Sequence, residues 1–214
     1  MINSMKKRIL SSLILLGLLY FLISLDNNFF LVILSIIFII IIYELNKIVK
    51  KNISKLIWFI YIIFSLYTVY AVKIFDDNSY LFILILFISI STDIGGYIIG
   101  KTFGGPRLTK ISPSKTYSGA LGGILFTLIF GYIFINYTNY DFIKFNKIDL
   151  INVILLILLS ISSQIGDLII SFLKRKSDIK DTGNIIPGHG GILDRVDGMI
   201  FVFPTFYLID RFFF

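Results

Sequence analysis

Residues 150–197 read LINVILLILLSISSQIGDLIISFLKRKSDIKDTGNIIPGHGGILDRVD. The stretch 150–172 is apolar, long enough for a membrane-crossing helix, and carries a single charged residue, Asp167. From Ser171 to Asp197 the character inverts: five cations, four carboxylates, four glycines and the only histidine of the chain fall within 27 residues. Polar chemistry this dense beside a bilayer needs a charged partner to offset its desolvation. The spacing of acids and bases suggests a metal-held phosphate.

The rest of the chain repeats the first half of that pattern. Of 214 residues, 57% are hydrophobic and the mean hydropathy is +0.89, against roughly 45–50% apolar in a soluble domain. Seven spans are predicted, at about 9–25, 29–45, 56–75, 79–100, 117–137, 150–172 and 198–213. The expected fold is all-α, a polytopic transmembrane helical bundle with two polar loops. Residues 1–78, about three spans, form a wall without a motif; residues 79–214 form the part that carries chemistry. There is no cysteine, which excludes disulfides, thiolate catalysis and cysteine-based zinc sites. The opening MINSMKKRIL and the apolar run after it lack a small-residue cleavage site, so a retained first span is expected.

Charge placement sets the expected orientation. With the N-terminus in the cytoplasm, sixteen of the twenty Lys and Arg residues fall on the cytoplasmic side. Only Lys73, Lys144, Lys147 and Arg211 fall on the other. The positive-inside rule then puts both polar loops, 101–116 and 173–197, on the cytoplasmic face of a plasma-membrane protein.

Asp93, in the fourth span, lies roughly 20 Å along its helix, and Asp167 lies at a similar depth in the sixth. Intramembrane carboxylates line polar cavities by default. The competing explanation is a helix–helix hydrogen bond to Ser91, Thr92 or Gln164. Asp194 and Asp197, three apart, would share a helical face, and carboxylates so placed can converge on a hard cation. Lys174, Arg175, Lys176 and Lys180 are the usual juxtamembrane cations, but the interleaved Asp178 and Asp181 favour a site over a lipid-surface patch. In Pro187–Gly191 the glycines, including Gly190 and Gly191, let backbone N–H groups approach phosphate oxygens, while His189 can orient a phosphate or close the turn. Ser112, Lys115 and Thr116 place hydroxyls and an ammonium at the entrance of the fifth span.

These residues resemble a known signature. Ser171, Lys174, Arg175, Lys180, Asp181, Pro187, His189, Gly190, Gly191, Asp194, Arg195 and Asp197 match, without a gap, the pattern of phosphatidate cytidylyltransferases (CDP-diacylglycerol synthases). Thr92-Asp93, Gly96-Tyr97, Gly100, Ser112-Pro113, Lys115-Thr116 and Gln164-x-Gly166-Asp167 also look like the family, so that the likeness covers roughly 80–210. Where the family usually carries Glu-Gly after Lys-Thr, this chain has Ser118-Gly119.

The resemblance implies that CTP and phosphatidate yield CDP-diacylglycerol and pyrophosphate in a homodimeric enzyme. On that basis Asp167, Asp194 and Asp197 are expected to hold Mg²⁺, with room for a second cation. Lys174, Arg175 and Lys180 would neutralise the triphosphate, and Ser112, Lys115 and Thr116 would clamp phosphates or the lipid head. Asp93, Asp181, His189, Gly190, Gly191 and Arg195 would support them. No nucleic-acid partner is expected. Two rivals are a CTP-dependent polyprenol or phytol kinase and an ion-coupled transporter; the transporter predicts acids nearer the bilayer midplane.

Overall fold

The computed structural model describes residues 17, 21, 23–75, 79–109, 112–138, 149–186 and 190–213. Among them seven helices and no strand are present: α1 (Asn27–Ile48), α2 (Asn52–Phe75), α3 (Tyr80–Phe103), α4 (Tyr117–Thr138), α5 (Leu150–Lys176), α6 (Leu193–Val196) and α7 (Met199–Phe213). The five helices α1 to α5 are long and apolar enough to cross a membrane, and the chain is a multi-pass membrane protein. The expected span 9–25 lies almost entirely outside the described residues. The expected seventh span is the 15-residue α7, about 22 Å long and shorter than the roughly 20 residues a full crossing needs.

Helix ends follow local chemistry. Helix α3 stops at Gly104 (φ 60) and Gly105 (φ 106), followed by Pro106, a run that cannot continue a helix. Helix α5 ends in Lys174, Arg175 and Lys176, cations suited to the negative end of its dipole. Its closure is a Schellman motif: Asp178 N–H donates to Arg175 O (3.1 Å) and Ile179 N–H to Lys174 O (3.1 Å). Asp178 occupies the left-handed position (φ 58) where glycine is usual, and Leu173 and Ile179 pack into one apolar cluster. Asp178, whose interleaving favoured a site, thus closes a helix.

Helix α7 carries Pro204, which has no N–H to offer the Ile200 carbonyl one turn back. Two hydroxyls from α2 take that place, Tyr61 at 3.1 Å and Ser65 at 3.0 Å. The pairing fixes α7 against α2, so the expected wall packs directly on the C-terminal helix.

Helices α3 and α4 form the closest pair, through glycines. A Cβ on Gly95 would lie 2.5 Å from Gly122 O, and one on Gly123 would lie 2.9 Å from Thr92 O. Backbone therefore meets backbone, the geometry small residues permit between membrane helices. Buried hydroxyls tie this pair to α5: Thr92 Oγ1 lies 2.8 Å from Thr127 Oγ1 and 3.0 Å from Ser160 Oγ. One apolar cluster, around Leu84, Ile85, Leu156 and Phe203, fills one half of the bundle, and another, around Ile41, Ile62, Ile170 and Leu193, backs the polar segment.

Candidate active site

Two groups of polar residues meet at the end of the bundle where α1 and α5 finish. The first is built by residues 177–192, the signature loop, folded around Asp194. Asp194 Oδ2 accepts from Thr182 N–H (2.8 Å), Thr182 Oγ1 (3.0 Å) and Gly191 N–H (2.9 Å), while Oδ1 accepts from Lys174 Nζ (2.8 Å). Burial opposes ionisation of this carboxyl. The Lys174 hydrogen bond and the Gly191 and Thr182 N–H groups outweigh burial and hold it below the usual carboxylate range. Gly190 sits at φ 87, and a Cβ there would lie 2.7 Å from Asp194 Oδ2, so conformation and space both require glycine. Ile186 N–H donates to Gly190 O at 2.9 Å. His189, with Pro187 and Gly188, lies outside the described residues.

The second group is acidic. Asp93 on α3, Asp167 on α5 and Asp197 after α6 act on one another electrostatically. Asp197 is 9% exposed and accepts from Gly198 N–H at 2.9 Å. Burial, and then the charges of Asp167 and Asp93, push its carboxyl up to about 8. Lys115 forms an ion pair with Asp167, and Ser171 Oγ donates to Asp167 Oδ1 at 3.2 Å. Arg195 and Lys115 supply positive charge near Asp93, and Lys174 supplies it near Asp197. Lys174 thus belongs to both groups.

The expected hydrogen-bonding alternative for the intramembrane acids is not what the described residues adopt. Ser91 donates to Ile88 O, Thr92 bonds to Ile88, Thr127 and Ser160, and Gln164 donates to Ala120 O at 3.1 Å. None of the three bonds to either aspartate.

Several expected site residues occupy other places. Asp194 was grouped with Asp167 and Asp197 as a metal ligand, yet both its oxygens are engaged within the loop and by Lys174. Among the described residues no cluster of three acids or histidines closes into a coordinating set. Thr116 caps α4, its Oγ1 accepting from Gly119 N–H at 3.1 Å. Ser118, in the place of the usual glutamate, donates to Gly104 O and lies 2.9 Å from Thr116 Oγ1. Ser112 O accepts from Lys115 N–H at 3.0 Å, which shapes the turn that presents Lys115. Arg175, Lys180 and Asp181 are exposed around the loop.

Two residues enter that the motifs did not mark. Thr182 is 2% exposed and bonds to Asp194; Glu44, on the expected wall, is fully buried against the same loop. A lone carboxylate in the apolar run of α1 was the available signal for Glu44.

A family model, described as the cytidylyltransferase family, matches residues 49–213. The chain belongs to this family. It is 42% identical over 120 residues to a phosphatidate cytidylyltransferase of Bacillus subtilis (strain 168), covering 56% of this chain and 43% of that protein. With a phosphatidate cytidylyltransferase of Rickettsia bellii (strain RML369-C) it shares 43% identity over 139 residues, 62% of this chain and 58% of the relative. A Brucella suis biovar 1 (strain 1330) protein of the same name is 41% identical over 124 residues, covering 58% and 44%. The chain spans about half the length of these cytidylyltransferase relatives. The matched region contains both polar groups of the site but begins after Glu44.

Proposed function

We propose that this protein transfers a cytidylyl group from CTP to phosphatidate, giving CDP-diacylglycerol and pyrophosphate at the cytoplasmic face of a plasma membrane. The observation that carries this is the meeting of Asp93, Asp167 and Asp197 with Lys115, Lys174 and Arg195 at one end of the bundle. Acids for a metal and cations for phosphates are what the joining of two polyanions requires. The relatives, phosphatidate cytidylyltransferases, suggest the substrates, and a homodimer is the assembly expected from the resemblance.

In the proposed reaction a phosphate oxygen of the lipid, already anionic, attacks the α-phosphorus of CTP. The bond to the β-phosphate breaks and pyrophosphate leaves, so no strong general base is needed. Lys174, held by Asp194, receives the triphosphate with Arg175 and Lys180 around it. Lys115, placed by the Ser112 turn and paired with Asp167, lies where the lipid phosphate would meet the nucleotide. Arg195 offsets the negative charge near Asp93.

The acidic group fits a hard cation: all its donors are carboxylate oxygens whose charges oppose one another within a partly buried site. Mg²⁺ is commonly bound through one or two carboxylates plus substrate phosphates, so a three-acid cage is unnecessary. Asp167 and Asp197 would hold it, with Asp93 beside them in the place first expected for Asp194. When bound, the ion supplies charge neutralisation at the reacting phosphates.

The test is purified protein in detergent with CTP labelled at the α-phosphate, phosphatidate or polyprenyl phosphate as acceptor, and Mg²⁺ present or chelated. Label in a lipid product with phosphatidate and Mg²⁺ is expected. Transfer of the γ-phosphate instead, or activity only with the polyprenyl acceptor, overturns the proposal.

A further inference from the structure

Glu44 lies on α1, outside the matched family region and outside every motif of the sequence. It is 0% exposed. No Lys, Arg or His forms an ion pair with it among the described residues. Such a carboxylate is costly unless every lone pair that faces protein finds a donor. Its donors all come from one place. Oε1 accepts from Ile192 N–H (3.1 Å); Oε2 accepts from Leu193 N–H (2.8 Å) and from the Thr182 hydroxyl (2.9 Å).

The loop is shaped to receive this side chain. A Cβ on Gly191 would lie 2.5 Å from both Glu44 oxygens, and one on Gly183 would lie 2.7 Å from Oε1. Among the described residues Glu44 makes no side-chain hydrogen bond to a neighbouring membrane-spanning helix, so its contacts do not serve to glue the bundle. They run onward. Thr182 Oγ1 stands between Glu44 Oε2 and Asp194 Oδ2, 2.9 and 3.0 Å away, and has one proton to share between them. Asp194 in turn receives Lys174 at 2.8 Å. Glu44, Thr182, Asp194 and Lys174 form an unbroken hydrogen-bonded chain from α1 to an ammonium at the centre of the site.

We infer that Glu44 is a positioning residue: it locks the signature loop onto α1 and, through Thr182 and Asp194, sets where Lys174 meets the polyphosphate of the nucleotide. The last clause rests on the proposed cytidylyltransferase reaction; the locking of the loop does not. Helix α1 is therefore part of the site and not only its wall.

The experiment compares wild type, Glu44→Gln, Thr182→Val and the double variant in detergent. Amide exchange is followed by mass spectrometry, and steady-state constants are measured for CTP and phosphatidate separately. Gln keeps one acceptor but turns an amide donor toward an N–H, and Val keeps the shape of Thr without its hydroxyl. In Glu44→Gln, exchange across residues 182–196 should quicken about tenfold or more, as expected when a buried donor loses its acceptor, with α2 and α3 unchanged. The KM for CTP should rise by about the same factor, while the KM for phosphatidate stays near wild type. The double variant should be no worse than the worse single one, because both break one chain. Unchanged exchange, unchanged CTP constants, or fully additive effects would each overturn the inference. If Glu44→Gln fails to insert, Thr182→Val carries the same comparison. Should wild type make no product from CTP and phosphatidate, the functional proposal falls, and the exchange result still decides whether Glu44 locks the loop.

Discussion

Lys174 donates to Asp194 Oδ1 at 2.8 Å, with side-chain exposures of 12% and 5%. The pair joins the last turn of α5 to the first turn of α6 and leaves the ammonium shared by both polar groups. Asp194→Asn would strip that ammonium of its countercharge and turn an amide donor toward one set of its former donors. In the proposed reaction, CDP-diacylglycerol formation should fall by about a hundredfold or more, in line with removing one partner of a buried pair. The protein should still insert, and near-normal product formation would refute the role given to the pair.

Asp167→Asn tests the acidic group separately. The variant keeps its shape but loses the charge that pairs with Lys115 and repels Asp197. Turnover at saturating CTP and phosphatidate should drop by about a hundredfold, the scale of losing one electrostatic contact to the reacting phosphates. Excess Mg²⁺ should not restore it. A variant that regains full turnover with added Mg²⁺ would show that Asp167 tunes metal affinity alone.

The depressed Asp194 carboxyl gives a pH prediction. Its folded value lies below the unfolded one, about 3.9 for aspartate, so the native state binds fewer protons between the two. Its contribution is present above the unfolded value and is lost as pH falls through the folded one. Exchange protection at Thr182 and Gly191 should therefore persist as pH drops through about 4 and fail only below it. Loss of protection at pH 5 would contradict the hydrogen-bond set around Asp194.

Gly122→Val would press a branched side chain onto Ile99 and toward Gly95 O, 2.8 Å from the added Cβ. Helices α3 and α4 would have to separate, at a cost of about 1–3 kcal/mol. A lower unfolding temperature in detergent is expected, together with weaker activity, because α3 carries Asp93 and the turn into α4 carries Lys115. Leu121→Val, on the exposed face of α4, should leave both unchanged.

Much of the fold was legible from residue type and run length. The apolar stretches between 29 and 172 became α1 to α5 because span length leaves few alternatives. Asp93 and Asp167 were legible for the same reason: an acid in an apolar helix stands out. What sequence could not separate was the use of each polar atom. Asp194 looked like a ligand, but its oxygens are claimed by Thr182, Gly191 and Lys174, partners set by loop closure and not by spacing. Thr116, expected as a phosphate clamp, also caps a helix, and Asp178, whose interleaving favoured a site, also closes one. Glu44 was visible but stood 138 residues from Thr182, a distance at which no local pattern links two residues.

The glycine seam between α3 and α4 has a mechanical consequence. Where backbone rests on backbone, with Ile99 and Phe126 reaching into the contact, little side-chain material remains to yield, so the two helices would tilt as one plank. Asp93 rides on α3, and Lys115 sits in the turn that leads into α4, so the seam ties the two ends of that spacing together. If the proposed lipid substrate enters from the side, the boundary it parts would be a different one from this seam.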